Sequence, residues 1–162
     1  MCPNNPVETV SWNDTQLFLK KLNKRQGNFR YRLPTEAEWD YVARADTERI
    51  SSSKKESWEA AEYGWYDENS FGQTHPVSLK KSNLFSVYDS KGNVWEWVQD
   101  WYEKYFATSQ LDPSGPVSGT SKVLRGGSWS TKESLLRADV RSALSPSSYD
   151  YDIGFRIVRN AN

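Results

Sequence analysis

The sequence predicts an α+β domain, with two helices early in the chain and a longer half of short strands and loops behind them. Three observations carry that expectation. Apolar residues recur at helical spacing behind recognisable N-caps only between residues 11 and 45. From about residue 60 onward Gly, Pro, Asn and Ser recur every few positions, and no helical period survives. Hydrophobic residues make up only 36% of the 162, yet aromatics reach 14%, eight of them Trp. Each aromatic can bury roughly 150–250 Å², so the core is expected to be aromatic rather than aliphatic. Helices that precede strands, instead of alternating with them, indicate α+β and not a parallel α/β sheet.

Val7 to Ser11 reads as a short strand that feeds the first helix. Ser11 with Asp14 three residues on approaches a capping box, Leu17, Phe18 and Leu22 continue at helical spacing, and Gly27 stands where a C-cap is wanted. Thr35 and Glu38 form a second capping box behind Pro34, and Trp39, Val42 and Ala43 carry that helix to about Ala45. Asp46 to Glu59, with Ser51, Ser52, Ser53, Lys54 and Lys55 at its centre, is a surface loop by composition. Strands are expected near Pro76–Leu79, Val94–Val98, Val123–Trp129, Ala138–Leu144 and Ile153–Val158. Trp39, Trp95, Trp97, Trp101 and Trp129 are expected as core pillars, because aliphatic side chains are too few to fill an interior. Arg32 and Glu36 are expected to form an ion pair or cap interaction, and Gly126-Gly127 to mark a tight backbone approach at a strand end.

Twenty-one basic residues balance twenty-one acidic ones, and the net charge is zero. That balance argues against nucleic acid or an anionic membrane as partner, and no run approaches the ~20 apolar residues of a membrane span. Cys2 is the only cysteine and His75 the only histidine. An intrachain disulfide, a thiolate cluster and any site needing two imidazoles are therefore excluded. His75, before Pro76, reads as a turn or surface residue.

Four ordered stretches point further: Pro6-Val7 with Val10-Ser11-Trp12; Tyr31-Arg32-Leu33-Pro34-Thr35-Glu36-Ala37-Glu38-Trp39; Gly92-Asn93-Val94-Trp95-Glu96-Trp97 with Asp100-Trp101; and Leu124-Arg125-Gly126-Gly127-Ser128-Trp129. Ile153-Gly154-Phe155-Arg156 closes the pattern. Together they resemble the formylglycine-generating-enzyme, or sulfatase-modifying factor, family. The resemblance runs over nearly the whole chain and implies one domain, 1–162, with a C-type-lectin-like fold, two helices, short antiparallel strands, and the first and last strands paired. Against that family the chain begins near Val10-Ser11-Trp12, as a compact branch or as the C-terminal piece of something longer.

The family's oxidase holds copper in a pair of cysteines just after the Gly-Gly-Ser-aromatic motif. The resemblance puts Thr131 and Leu136 at those positions, and Cys2 matches neither. Copper(I) wants soft thiolate sulfur, so no copper and no formylglycine-generating activity are expected. A branch similar to ergothioneine-type sulfoxide synthases binds iron through three histidines of a separate helical domain, which a chain with one histidine does not supply. Asp89 to Glu96 places two carboxylates around a Gly-Asn turn, an oxygen-only set that suits Ca²⁺. The resemblance implies ligation by Asp89, by backbone at Gly92 and Val94, and by Glu96. The competing expectation is a turn-capping Asp89 and a Glu96 paired to an arginine such as Arg125.

The last thirty-odd residues carry the functional expectation. Ser145, Ser147, Ser148, Tyr149, Asp150, Tyr151 and Asp152 crowd around Pro146 without an apolar period. So many hydroxyls and carboxylates cannot be buried without partners, and Tyr beside Ser and Asp is the palette of adaptable binding surfaces. Tyr149, Asp150, Tyr151 and Asp152, with Ser130, Lys132 and Asp139 nearby, are expected to form an exposed face for a protein or small-molecule ligand. This resembles the variable proteins of diversity-generating retroelements, whose frame is a similar Gly-Gly-Ser-Trp…Gly-Phe-Arg and whose adenine-targeted Asn codons become Ser, Tyr or Asp. Lys132 and Glu133 do not arise that way and would be constant or differently encoded. Three function classes follow: a non-catalytic binding module, a formylglycine-generating-type oxidase, and a sensor or scaffold domain of a larger protein such as a kinase.

Overall fold

In the computed structural model, which describes residues 4–26, 30–46, 60–105 and 111–160, both capping boxes close. Ser11 Oγ accepts from the Asp14 amide at 3.1 Å while the Asp14 carboxylate accepts from the Ser11 amide at 3.0 Å. They open helix α1, Trp12–Arg25. Thr35 and Glu38 do the same for α2, Glu36–Ala43, which runs on into a 3-10 turn, Arg44–Asp46. A one-turn helix α3 follows at Ala60–Tyr63. Helix α1 is capped at Gln26. The expected Gly27 cap, Cys2 and the polar loop beyond Asp46 lie outside the described residues.

The described residues hold six strands: β1 Tyr31–Arg32 between α1 and α2, then β2 Trp95–Trp101, β3 Lys122–Arg125, β4 Arg141–Leu144, β5 Ile153–Phe155 and β6 Val158–Arg159. Four of them form a sheet ordered β4-β3-β2-β5, and β1 pairs with β6 antiparallel. The first and last strands are thus paired, as the resemblance implies. One pairing departs from the antiparallel expectation, because β5 runs parallel to β2 with Trp95 opposite Ile153 and Trp97 opposite Phe155.

Several strand expectations are corrected. Val7–Ser11 is not a strand. Its carbonyls serve side chains and close contacts instead: Trp97 Nε1 donates to Val10 O at 2.9 Å, and a Cβ on Gly154 would meet Val7 O at 2.2 Å. Pro76–Leu79 is a turn, with Ser78 at φ 64° and its amide on Asp89 Oδ2. The Val123–Trp129 strand stops at Arg125 because Gly126 and Gly127 take φ of 97° and 75°. Their close approach holds: a Cβ would stand 3.2 Å from the Trp39 ring at Gly126 and 2.7 Å from Leu136 at Gly127. The Ala138–Leu144 strand begins only at Arg141. Ile153–Val158 is two strands in two sheets, broken where Arg156 turns to Glu96.

The core sits around the β2–β3 pair. Trp97, fully buried, packs with Leu19, Leu33, Leu124 and Ile153, and Trp39 with Ala43, Val98, Val123 and Ala138. Trp39 and Trp97 are thus interior pillars, half-buried Trp95 packs against the Trp97 cluster, and Trp101 and Trp129 are half-buried. Trp101 has a different task. It stacks on Trp12 at 6.5 Å, and Lys122 Nζ lies between the two rings, 3.8 and 4.2 Å from their centroids. Lys122 is buried and donates to Gln99 O at 2.8 Å. Burial pulls its ammonium from the usual 10.5 down to about 8, with Asp100 opposing. Between those two values the unfolded chain holds a proton that the folded one has released, so the stability contribution rises with pH. The melting-temperature difference between wild type and Lys122→Met is therefore expected to move in favour of wild type from pH 8 to pH 10. A difference that stays flat across that window would show an unperturbed lysine.

Candidate ligand-binding face

The loop after β3 and the loop before β5 meet at one carboxylate. Asp152 Oδ2 accepts from Ser128 Oγ at 2.7 Å and from Ser130 Oγ at 2.8 Å, while its backbone carbonyl takes the Trp95 amide of β2. Tyr151 leans on Trp129 with ring centroids 5.6 Å apart. Trp129 itself is held from behind, its amide on Asn93 O and its carbonyl accepting from Ser70 Oγ. Asn93 is thereby a joist under the face, and it also clamps the His75 backbone through both atoms of its amide.

Six of the seven residues expected on this face are exposed, and Asp152 is half-buried. Tyr149 is 65% and Tyr151 61% accessible. Ser130, Tyr151 and Asp152 are brought together by the contacts above. Tyr149 and Asp150 share their loop, pinned where Asp150 O accepts the Thr9 and Ile153 amides. Lys132 is exposed and leads into a 3-10 turn, Glu133–Leu135. Asp139 does not join them. Its carboxylate is taken by Arg137, whose Nε donates at 2.9 Å and whose hydrogen bonding lowers the Asp139 pKa.

Three residues belong to this region without having been expected there. Trp129 was assigned to the core but presents its ring to Tyr151. Phe71 is 87% exposed at φ 56°, one residue after the Ser70 that anchors Trp129. His75 is not a plain surface residue: it stacks on Trp65 at 3.8 Å, with Nε2 2.7 Å from Ser70 O. An aromatic set into a Gly-rich polar turn, Phe71-Gly72, was the available signal.

Thr131 and Leu136 stand at the positions to which the resemblance assigns the oxidase's cysteines. Thr131 Oγ1 accepts from the Ser128 amide at 2.9 Å and sits 3.0 Å from Ser128 Oγ. Leu136 is buried against Ala60 and Tyr66. One position is thus a loop-bracing hydroxyl and the other apolar filling.

Of the suggested calcium ligands, Glu96 is engaged by a guanidinium in this arrangement, while Asp89 Oδ1 is buried without a hydrogen-bond partner. Glu96 gives both oxygens to Arg156, at 2.5 Å each, and accepts from Trp39 Nε1 at 2.6 Å. Arg156 Nη2 also donates to Asp89 O at 3.1 Å, so a guanidinium already stands among these oxygens. Asp89 Oδ2 takes the Ser78 amide, and burial pushes its carboxyl up. The Gly92 amide donates to Gly126 O, and Val94 is packed into the interior. Among the described residues no group of three or more His, Cys, Asp or Glu side chains gathers to hold a metal. The arginine partner of Glu96 is Arg156 and not Arg125, which serves Asp40 and the Ala138 and Val140 carbonyls.

Residues 1–161 match the model of the sulfatase-modifying factor enzyme 1-like domain. The formylglycine-generating enzyme of Streptomyces coelicolor is 33% identical over 188 residues, covering 99% of this chain and 54% of that protein. The serine/threonine-protein kinase pkn1 of Chlamydia pneumoniae is 32% identical over 162 residues, covering 98% of this chain and 24% of the kinase. Among solved structures, Treponema denticola variable protein 1 superposes with a TM-score of 0.86 at 30% identity, over 97% of this chain and 72% of that one. The chain spans about half the length of the first of these relatives and a quarter of the second. No helix among the described residues is long and apolar enough to cross a membrane.

Proposed function

This chain belongs to the sulfatase-modifying factor enzyme 1-like family, and we propose that within it the domain is a non-catalytic binding module for a protein ligand. The binding surface is the face built by Trp129, Ser130, Tyr149, Asp150, Tyr151 and Asp152. The observation that carries this reading is the pairing of two exposed tyrosines with a loop tied rigidly to the sheet through Asp152. Rigid amphipathic rings on a fixed scaffold bind at low entropic cost. The likeness to a variable protein supports the same reading, as does a site with Thr131 and Leu136 where the oxidase chemistry needs two thiolates. Within this proposal a retroelement would diversify Ser130 and residues 145–152 while the β2–β3 frame stays constant.

Similarity to formylglycine-generating enzymes favours one competing reading, an oxidase. Oxygen-dependent conversion of a sulfatase-motif cysteine peptide by the purified protein would establish it. The binding reading is tested by selecting random dodecamer peptides displayed on phage against wild type and counter-selecting against Tyr149→Ala/Tyr151→Ala. Both rings are solvent-exposed, so the double variant is expected to melt within about 1–2 °C of wild type and to lose the selected peptides. Peptides that bind both proteins equally, or rings whose removal unfolds the domain, would sink the proposal.

A further inference from the structure

The chain is neutral as a whole, but its charge is not evenly spread. Asp67 and Glu68 lie in the loop that anchors this face, since the Asp67 amide donates to Thr131 O at 3.1 Å and Ser70 Oγ to Trp129 O at 2.8 Å. Both acids are exposed, and Glu133 sits across from them, two residues beyond Thr131. Burial pushes the Tyr66 phenol up, and the charges of Glu133, Glu68 and Asp67 add to that. None of the three enters an ion pair among the described residues. Lys132 is the one basic residue between Trp129 and Glu133. Phe71 follows directly after Ser70, whose hydroxyl donates to Trp129 O, and the Tyr151 ring packs on the half-buried Trp129, so these rings belong to the same two loops as the acids.

Exposed π faces beside unpaired carboxylates are complementary to one side-chain chemistry. A cation on a flexible stem can place its charge over a ring and its donors on an oxygen, and both contacts strengthen as water leaves. An acidic ligand would meet repulsion from the rim, and a purely apolar one would leave the carboxylates desolvated and unpaired. We propose that the partner of this face is a protein segment bearing lysine or arginine, seated on Trp129, Tyr151 and Phe71 and held by Asp67, Glu68 and Glu133. The inference rests on the reading of this face as the binding surface and names the class of its partner.

The phage selection separates the two claims. Peptides retained by wild type and lost on Tyr149→Ala/Tyr151→Ala are expected to be enriched in Lys and Arg. A synthetic peptide from that set is then measured by fluorescence anisotropy. Raising NaCl from about 50 to about 300 mM shortens the screening length to well under 10 Å and should weaken binding. Asp67→Asn/Glu68→Gln/Glu133→Gln should weaken it roughly five- to tenfold at low salt, with the melting temperature unchanged. Ring-dependent peptides that are neutral or acidic, or affinities indifferent to salt and to the triple variant, would overturn the cationic partner and leave the binding face standing. Peptides indifferent to both tyrosines would overturn the face itself.

Discussion

Glu36→Ala is expected to lower the unfolding free energy by about 3–5 kcal/mol, the range for stripping one partner from a buried ion pair. Glu36 is the first residue of α2, and its amide donates to Asp100 Oδ2 at 2.7 Å. Its carboxylate receives Arg141 through two bonds of 2.6 and 2.7 Å and the Tyr105 hydroxyl at 3.0 Å. Arg125 Nε, which has no hydrogen bond of its own, stands 3.6 Å away. Arg125 is fully buried, held otherwise by Asp40 and by two carbonyls, with its guanidinium 5.1 Å from the Trp39 ring centroid. Removing Glu36 deprives the Arg141 guanidinium of its carboxylate partner, takes from buried Arg125 one of its two nearby carboxylates and cuts the tie of α2 to β4, while Asp40 still holds Arg125 of β3. Urea unfolding would measure it. Glu36→Gln should recover part of the loss through its hydrogen bonds, and a loss under about 1 kcal/mol would mean that water reaches both arginines.

A contrasting pair sets the scale. Arg32 and Glu38, each roughly 40% exposed along the side chain, are joined by two bonds of 2.6 Å. Arg32 holds the Glu38 carboxyl down to about 2. A depressed carboxyl stabilises the fold above its unfolded value and loses that contribution as pH falls toward 2. Exposure limits what the pair is worth, and Arg32→Ala should cost under about 1 kcal/mol.

The contrast also shows what was legible in the residues. The expected pair is Arg32 with Glu36, and the observed partner, Glu38, stands two positions further on. The capping box decides it: Glu38 turns back to the Thr35 amide at 2.8 Å and so faces Arg32, while Glu36 is left to point at β3 and β4. Both boxes were legible because their partners are three residues apart. Val7–Ser11 was misread because its hydrogen-bond partners, Trp97 and Asp150, lie far along the chain. The period-2 pattern of Ile153–Val158 hid a change of sheet, which the pairing of Arg156 with Glu96, sixty residues away, imposes. On the face, hydroxyls and tyrosines announced exposure through their polarity. The framework beneath them, Asn93 and Ser70, gave no such sign because its bonds are to backbone.

Gly92→Ala is expected to cost several kcal/mol, whereas Gly72→Ala, at the same backbone angle, costs about 1–2. Both glycines have φ of 72°, so the left-handed strain of an added Cβ is common to the two. Their surroundings differ. At Gly72 nothing lies within 4 Å, but at Gly92 the Cβ would stand 2.0 Å from Trp65 O and 2.8 Å from its carbonyl carbon. Backbone cannot rotate out of the way, so the Trp65–Gly92 bridge must open, and with it the Asn93 amide's bond to Trp65 O. Asn93 carries the His75 backbone and the Trp129 amide, and displacing it loosens the two loops that present Phe71 and Trp129. The variant should therefore lose stability in urea and, where it still folds, bind wild-type-selected peptides more weakly. Equal unfolding free energies for the two alanine variants would show that strain at φ is the whole cost and that the Gly92–Trp65 contact yields.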